Sequence, residues 1–131
     1  MFEEKENVKL NKVAEITVLF WLMKIIATTL GETLGDFFSM TLNLGYLTGI
    51  YVTLIFFLTV LFIQLAVKEY IPVFYWLVII GTTTLGTEIS DFMDRSLHLG
   101  YAAGSLILFT FLITTLFLWK NRFKGLKVYP V

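Results

Sequence analysis

The sequence contains no cysteine, a single histidine and few charged residues. The absence of cysteine excludes disulfides and thiolate metal sites, and leaves the redox compartment undefined. Copper and zinc sites are poorly supported, because their usual sulfur and nitrogen ligands are nearly missing. Charged residues make up only 15% of the chain, and the formal net charge is zero. This balance argues against a nucleic-acid partner, which would need a basic face.

Apolar residues dominate instead: 57% of the 131 residues are hydrophobic and 17% are aromatic. A soluble chain this short could not bury so much apolar surface. Residues 16–38, 47–67, 73–92 and 101–119 each provide the roughly 20 mostly apolar residues that a spanning helix needs. The short connections predict an up-down-up-down bundle. We therefore expect an all-α integral membrane protein of about four transmembrane helices, with the lipid bilayer as its first partner.

The positive charges predict an orientation. Eight of them fall on one side of such a bundle and only Arg95 on the other, the eight being Lys5, Lys9, Lys12, Lys68, Lys120, Arg122, Lys124 and Lys127. The positive-inside rule then places both termini and the Lys68 loop in the cytoplasm. Lys24 lies inside the first span, where snorkelling toward the cytoplasm is favoured over pairing with an acid. No small-residue cleavage site follows the first apolar stretch, so a cleaved signal peptide is not expected.

The sequence repeats itself at a fixed offset. A shift of 55 residues, without gaps, places Phe20-Trp21-Leu22 on Tyr75-Trp76-Leu77. The same shift aligns Thr28-Thr29-Leu30-Gly31 with Thr83-Thr84-Leu85-Gly86, Asp36-Phe37 with Asp91-Phe92, and Leu44-Gly45-Tyr46 with Leu99-Gly100-Tyr101. We predict two membrane repeats, residues 14–71 and 72–122, between cytoplasmic tails 1–13 and 123–131. Each repeat returns the chain to its starting side, so the repeats are parallel and their equivalent residues lie at equal depth.

The repeated pattern of Trp21, Thr28-Thr29-Leu30-Gly31-Glu32, Gly35-Asp36 and Leu44-Gly45-Tyr46 resembles a family of bacterial membrane-anchored proteins of unknown function. In that family a two-helix repeat with a characteristic tryptophan usually occurs four times in tandem. The resemblance implies the fold and a bacterial inner membrane, and it implies no particular activity. This chain has two repeats instead of four. We therefore expect two copies to pair as a symmetric homodimer of eight helices.

Four carboxylates lie within the predicted first and third spans: Glu32 and Asp36 in one, Glu88 and Asp91 in the other. The spacings of four and three residues place each pair on one helix face. Acids inside a membrane are costly and usually face a bundle interior or a wet cavity, so they suggest a functional site. The neighbouring hydroxyls of Thr28, Thr29, Thr83 and Thr84 would extend such a site.

Oxygen ligands of this kind suit a hard cation such as Mg²⁺, Ca²⁺ or Mn²⁺, or else protons. The leading hypothesis is therefore a small transporter or channel-like protein that handles a cation at Glu32, Asp36, Glu88 and Asp91. These four would also be the ligands of any bound metal, and no other cofactor is expected. The alternative for the residues themselves is structural: both spans end early, and the acids are solvated or capping groups near the outer headgroups.

Two other functions are weighed against transport. A non-transporting scaffold or partner-binding subunit would have its acidic face covered by protein or sealed by hydrogen bonds, with no water-accessible cavity. An intramembrane hydrolase is disfavoured, because Thr33-Leu34-Gly35-Asp36 lacks the first glycine of the G-x-G-D pattern of presenilin-like proteases, and Asp91 follows Ser90. No arrangement of a nucleophile with histidine suggests another enzyme. We expect no enzymatic activity.

Several residues are predicted to pack the repeats together. Trp21 and Trp76 lie at equivalent depth, where packing is favoured over stacking on a substrate. Gly31 and Gly35 form a small-xxx-small pair that would let another helix approach closely, and Gly86 repeats the first of them. The sequence leaves open whether the first and third helices break near Gly31 and Gly86. A lone histidine, His98, is expected to be a surface or hydrogen-bonding residue and not a ligand.

Overall fold

A computed structural model describes residues 14–123, and the regular structure in this range is helical. The helices are α1 (Val18–Asp36), α2 (Tyr46–Ala66), α3 (Pro72–Asp91) and α4 (Gly100–Phe123). The predicted tails, residues 1–13 and 123–131, lie outside the described residues apart from Phe123, which ends α4.

Four segments are long and apolar enough to cross a membrane: Val18–Thr41, Tyr46–Ala66, Pro72–Ser96 and Gly100–Arg122. They correspond to the four predicted spans, so the prediction of an all-α multi-pass membrane protein is confirmed. The first and third end later than predicted, at Thr41 and Ser96, because each helix continues into a short π-helical turn.

The two π-helical turns, Phe37–Thr41 and Phe92–Ser96, are local copies of each other. In the first, the amide of Leu42 donates to the carbonyl of Phe37 over 3.0 Å, and in the second Leu97 donates to Phe92 over 3.1 Å. α1 runs without interruption through Gly31, and α3 runs through Gly86. The change in helical geometry therefore comes after the aspartates and not at these glycines.

The turns that follow also repeat. Asn43 and His98 adopt positive φ angles of 54° and 53°, and Gly45 and Gly100 adopt 79° and 76°. A positive φ requires glycine or costs strain in other residues, so the same turn is built twice from partly different side chains. This agreement in conformation gives the sequence repeat a structural basis.

The beginnings of α1 and α3 follow from local chemistry. Thr17 precedes α1 with extended backbone, and its hydroxyl accepts a hydrogen bond from the amide of Phe20 over 3.2 Å, as an N-cap should. α3 starts at Pro72, whose fixed φ suits the first helical position and whose missing N–H has no partner to lose there.

The described chain forms two compact units, residues 14–89 and 90–123. The first unit contains α1, α2 and most of α3. An ideal Cβ on Gly31 would lie 2.7 Å from Cβ of Thr83, and one on Gly35 would lie 3.1 Å from Cβ of Thr87. Residue numbers rise together along both helices, so α1 and α3 are parallel. Gly49 of α2 lies beside Glu88 and Phe57 beside Gly81, so α2 is antiparallel to α3.

The interior of the first unit is made of small and polar residues, while most large apolar side chains are exposed. The buried positions are Ala27, Gly31, Gly35, Ser39, Gly49, Thr53, Val60, Gln64, Gly81, Thr84 and Glu88. This distribution reverses that of a soluble protein and is typical of helices packed in lipid, where small residues allow close approach.

The second unit contains the end of α3, the second π-helical turn and α4. Nε of Arg95 lies 4.0 Å from Oδ1 of Asp91, one helical turn away. A Cβ on Gly104 would overlap the Asp94 carboxylate, so glycine is required there for that carboxylate to lie against α4. Asp94 and Arg95 thus form a charged turn between α3 and α4.

Candidate functional site

Glu88 is the most deeply buried large side chain in the described part of the protein, with 0% of its surface exposed. It lies on the face of α3 that meets α2. The hydroxyl of Thr53 on α2 donates a hydrogen bond to its Oε1 over 3.1 Å. Gly49, one turn earlier on α2, provides the room: a Cβ there would lie 2.9 Å from the same oxygen.

The second carboxylate oxygen of Glu88 has a different environment. Within residues 14–123, Oε2 is buried and has no hydrogen-bond partner. An ionised carboxylate held away from water by one neutral hydrogen bond is strongly disfavoured. Glu88 is therefore in a position that requires either a proton on the carboxylate or a cation beside it.

A cavity of about 340 Å³ lies between α1, α2 and α3, next to the hydroxyl that binds Glu88. Thr53 and Thr84 are its two polar side chains, and the rest of its lining is apolar apart from backbone, consisting of Leu30, Leu34, Phe38, Val52, Phe56, Leu77, Ile80 and Gly81. Thr53 thus lies between the buried carboxylate and a partly open, mostly apolar cavity.

Threonines on α1 and α3, among them Thr84 of the cavity lining, have their hydroxyl protons engaged. Thr83 donates to the carbonyl of Ile79 over 3.0 Å, and Thr84 donates to that of Ile80 over 2.8 Å. Thr28 on α1 donates in the same way to the carbonyl of Lys24 over 2.8 Å. Such back-bonding leaves the hydroxyl oxygens available only as acceptors.

The predicted site residues are distributed unevenly. Glu88 and Thr84 are buried and Thr83 is half-buried at the contact with α1, whereas Glu32 and Thr29 are exposed. Asp36 and Thr28 are half-buried. Asp91 lies in the second unit beside Arg95, with 15% of its side chain exposed.

The structure does not assemble a metal centre from one chain. No three side chains of histidine, aspartate or glutamate come close enough in residues 14–123 to hold one ion. The set of Glu32, Asp36, Glu88 and Asp91 is thus not brought around one point there, and its role as a metal-ligand set stays a prediction.

The packing residues also divide. Gly31 and Gly35 form the contact of α1 with α3, but a Cβ on Gly86 would meet nothing within 4 Å. The ring of Trp76 lies 5.7 Å from that of Phe20 on α1. Trp21 is 57% exposed and stacks edge-on with the adjacent Phe20 at 5.5 Å. The aromatic contact between the repeats therefore runs through Phe20 and Trp76.

Sequence reasoning missed Thr53 and Gly49. The signal was an asymmetry: the counterpart of Thr53 in the second repeat is Leu108, and that of Glu88 in the first is Thr33. Both members of the hydrogen-bonded pair thus depart from the repeat, so the pair is formed only once. His98 is exposed, as predicted for a surface residue, and Lys24 is half-buried.

The comparisons with known proteins identify the repeat. The family model described as Repeat of Unknown Function (DUF347) matches twice, over residues 19–70 and 74–122. Neither a curated protein nor a solved structure matches the chain. The two matched segments cover most of the sequence and coincide with the two halves found by internal alignment. The chain therefore belongs to the DUF347 family and carries two copies of its repeat.

Proposed function

We propose that this protein is a small membrane transporter that moves a cation, most simply a proton, by way of the Glu88 carboxylate. The observation that carries the proposal is the burial of Glu88 inside a membrane-spanning helix with one carboxylate oxygen unpartnered among the described residues. Intramembrane acids are expensive to maintain and mark ion or proton pathways more often than they stabilise a fold.

The coordination around Glu88 favours a proton over a divalent cation. Mg²⁺ and Ca²⁺ take six or more oxygen ligands. Glu88 has one hydroxyl neighbour, and among the described residues it belongs to no group of three side chains that could hold a metal ion. A proton needs only one oxygen. Mn²⁺ and other hard divalent ions remain the alternative cargo.

A carrier cycle would use the neutral and ionised forms of Glu88 at different times. The protonated carboxyl is neutral, so it can stay buried beside Thr53, whereas the ionised form needs water or a counter-charge. Release of the proton therefore requires that water reach Oε2. We assign this water access to the cavity beside Thr53.

The proposal includes an orientation and a location. Lys68 lies in the loop between α2 and α3, and Lys120 and Arg122 lie in the last turn of α4. The positive-inside rule makes this the cytoplasmic side. We place the protein in a bacterial inner membrane with both termini inside, and we assign it no enzymatic activity.

Proton flux into liposomes tests the function. Purified protein would be reconstituted around a pH-sensitive dye, and a potassium diffusion potential would drive proton entry. We expect flux from the wild type and at least a tenfold loss in Glu88→Gln, because the amide keeps the shape and the Thr53 bond but cannot release a proton. The matched control is Glu69→Gln, in the exposed loop after α2, which should conduct normally.

Two results would contradict the proposal. Normal flux in a folded Glu88→Gln variant would remove the carboxylate from the mechanism. Absence of proton and Mn²⁺ flux in the folded wild type would favour a scaffold. A scaffold has support of its own, since the bond from Thr53 to Glu88 would then join α2 and α3 statically beside an apolar cavity.

A further inference from the structure

The contact between α1 and α3 is formed once in the described chain, although the sequence repeat provides the residues for a second, equivalent contact. The small face of α1 is buried at Ala27, Gly31 and Gly35, and the two glycines contact α3. A Cβ on Gly31 would lie 2.7 Å from Cβ of Thr83 and 2.8 Å from the carbonyl oxygen of Ile80. We call this contact the glycine–threonine seam.

Both halves of a second, equivalent seam lie largely uncovered in the described chain. The 55-residue shift carries Gly31 to Gly86 on α3, where a Cβ would meet nothing within 4 Å. It also carries Ile80 and Thr83 back to Ile25 and Thr28 on α1. Ile25 is 62% exposed and Thr28 is half-buried.

The same correspondence extends along both helices. Thr82, the counterpart of Ala27, is exposed, and so are Thr29 and Glu32, the counterparts of Thr84 and Thr87. The counterpart of Gly35 is Ser90, so the small-xxx-small spacing is kept on α3. The chain therefore carries both faces of a contact that it already makes once: a small-residue face on α3 around Gly86 and a threonine face on α1 around Thr28.

We infer that a second copy of this chain covers these faces, with Gly86 of each copy packed on Thr28 of the other in a repetition of the glycine–threonine seam. α1 and α3 are parallel, so the seam can form between copies related by a two-fold axis along the membrane normal. The two new contacts are identical and close the assembly. α1 and α3 of both copies then alternate in a ring of four parallel helices.

The chemistry of the faces favours a copy of the chain over lipid. Gly86 and the threonines next to it offer lipid little apolar surface, and Glu32 would place a carboxylate against acyl chains. In the proposed dimer, Glu32 takes the place that Thr87 has beside Gly35, and the partner shields it from lipid. The inference depends on the repeat and the seam, and it holds whether or not Glu88 carries protons.

Disulfide crosslinking tests the contact directly, because the natural chain has no cysteine. Thr28→Cys and Gly86→Cys would be placed on two separately tagged copies and expressed together in membranes. We expect an oxidant to produce a crosslinked dimer carrying both tags. Each variant alone, and Gly86→Cys with Ile55→Cys on the exposed face of α2, should remain uncrosslinked.

A mass measurement gives an independent readout. Native mass spectrometry from mild detergent should show two chains for the wild type and one chain for Gly86→Leu. The leucine fits a single chain, since the space at Gly86 is open, and circular dichroism would check its helix content. Thr29→Trp, on the face of α1 that would receive the partner copy, provides a second variant that should prevent dimerisation.

Three outcomes would overturn the inference. A wild type of one chain with bound lipid would mean that lipid covers the faces. A Gly86→Leu protein that stays dimeric would place the interface elsewhere. Crosslinking within a sample of either cysteine variant alone, with none between the Thr28→Cys copy and the Gly86→Cys copy, would indicate a different arrangement of the two chains.

Discussion

The hydroxyl of Thr53 and the carboxylate of Glu88 are joined by a hydrogen bond of 3.1 Å that connects α2 to α3. The bond lies in the membrane-spanning part of both helices, where neither residue reaches the surface. At the equivalent positions of the other repeat, Leu108 stands in place of Thr53 and Thr33 in place of Glu88. The pair is thus one place at which the two similar halves differ chemically.

Removing the donor should weaken the fold as well as the function. Thr53→Val keeps the shape of the side chain but leaves Glu88 without its hydrogen bond, and we expect a loss of about 1–2 kcal/mol of unfolding free energy. Thermal unfolding in detergent measures this. Thr59→Val is the control, since Thr59 is exposed and its hydroxyl bonds to its own helix at Ile55. Equal stability of the two variants would show that the bond contributes nothing.

Gly49→Ala should impair function more than stability. The new methyl would lie 2.9 Å from Oε1 of Glu88, so the flexible carboxylate must move away and lose its geometry with Thr53. We expect proton flux to fall at least several-fold while the unfolding midpoint changes little. Thr48→Ala, at the exposed position beside it, should have normal flux. Unchanged flux in Gly49→Ala would show that the position of the carboxylate is unimportant.

Gly31→Ala should have the opposite effect, because the obstacle there is backbone. Its methyl would lie 2.8 Å from the carbonyl oxygen of Ile80, which cannot rotate away, and overpacking of this kind costs about 1–3 kcal/mol. Gly86→Ala is the matched control at the repeat-equivalent position. At one chain per micelle it should be neutral or stabilising by up to about 1 kcal/mol, since alanine is the better helix former. If both substitutions destabilised the protein equally, the close packing of Gly31 against α3 would be contradicted.

The left-handed turns predict a gain in stability. His98→Gly relieves a positive φ of 53° and should stabilise the protein by up to about 1 kcal/mol. Asn43→Gly, at the equivalent angle of 54°, should gain less because asparagine tolerates this conformation better. Chemical or thermal unfolding of both variants gives the order. A larger gain at Asn43 would contradict the assignment of strain to the histidine.

Much of the architecture could be predicted because its signals are local. Hydropathy located four spans, and the 55-residue shift located the repeats and their equivalent turns. The π-helical turns could not be predicted, since their hydrogen-bond pattern depends on the geometry with which the chain turns back after Asp36 and after Asp91. The possibility of breaks near Gly31 and Gly86 was left open, and the helices are continuous there.

The site was harder to predict because its two glutamates do not occupy equivalent positions: Glu88 aligns with Thr33, and Glu32 aligns with Thr87. Both glutamates are predicted at one ion-binding centre, but Glu88 is fully buried and Glu32 is exposed in the described chain. The difference arises because α1 uses its glycine face and α3 its threonine face to form the seam. Which face of each helix is covered depends on three-dimensional packing, and periodicity alone does not fix it.

The back-bonded threonines also bear on the sign of the charge that this interior can accept. Thr84 lines the cavity and donates its hydroxyl proton to the carbonyl of Ile80, so it presents oxygen lone pairs and no hydrogen to an ion bound there. A chloride or phosphate ion that lost its hydration shell there would find no hydrogen-bond donor in this hydroxyl to replace the water. A hydronium or metal ion would find electronegative oxygen. Discrimination against anions would then follow from the bonding of the helix itself, without any charged gatekeeper.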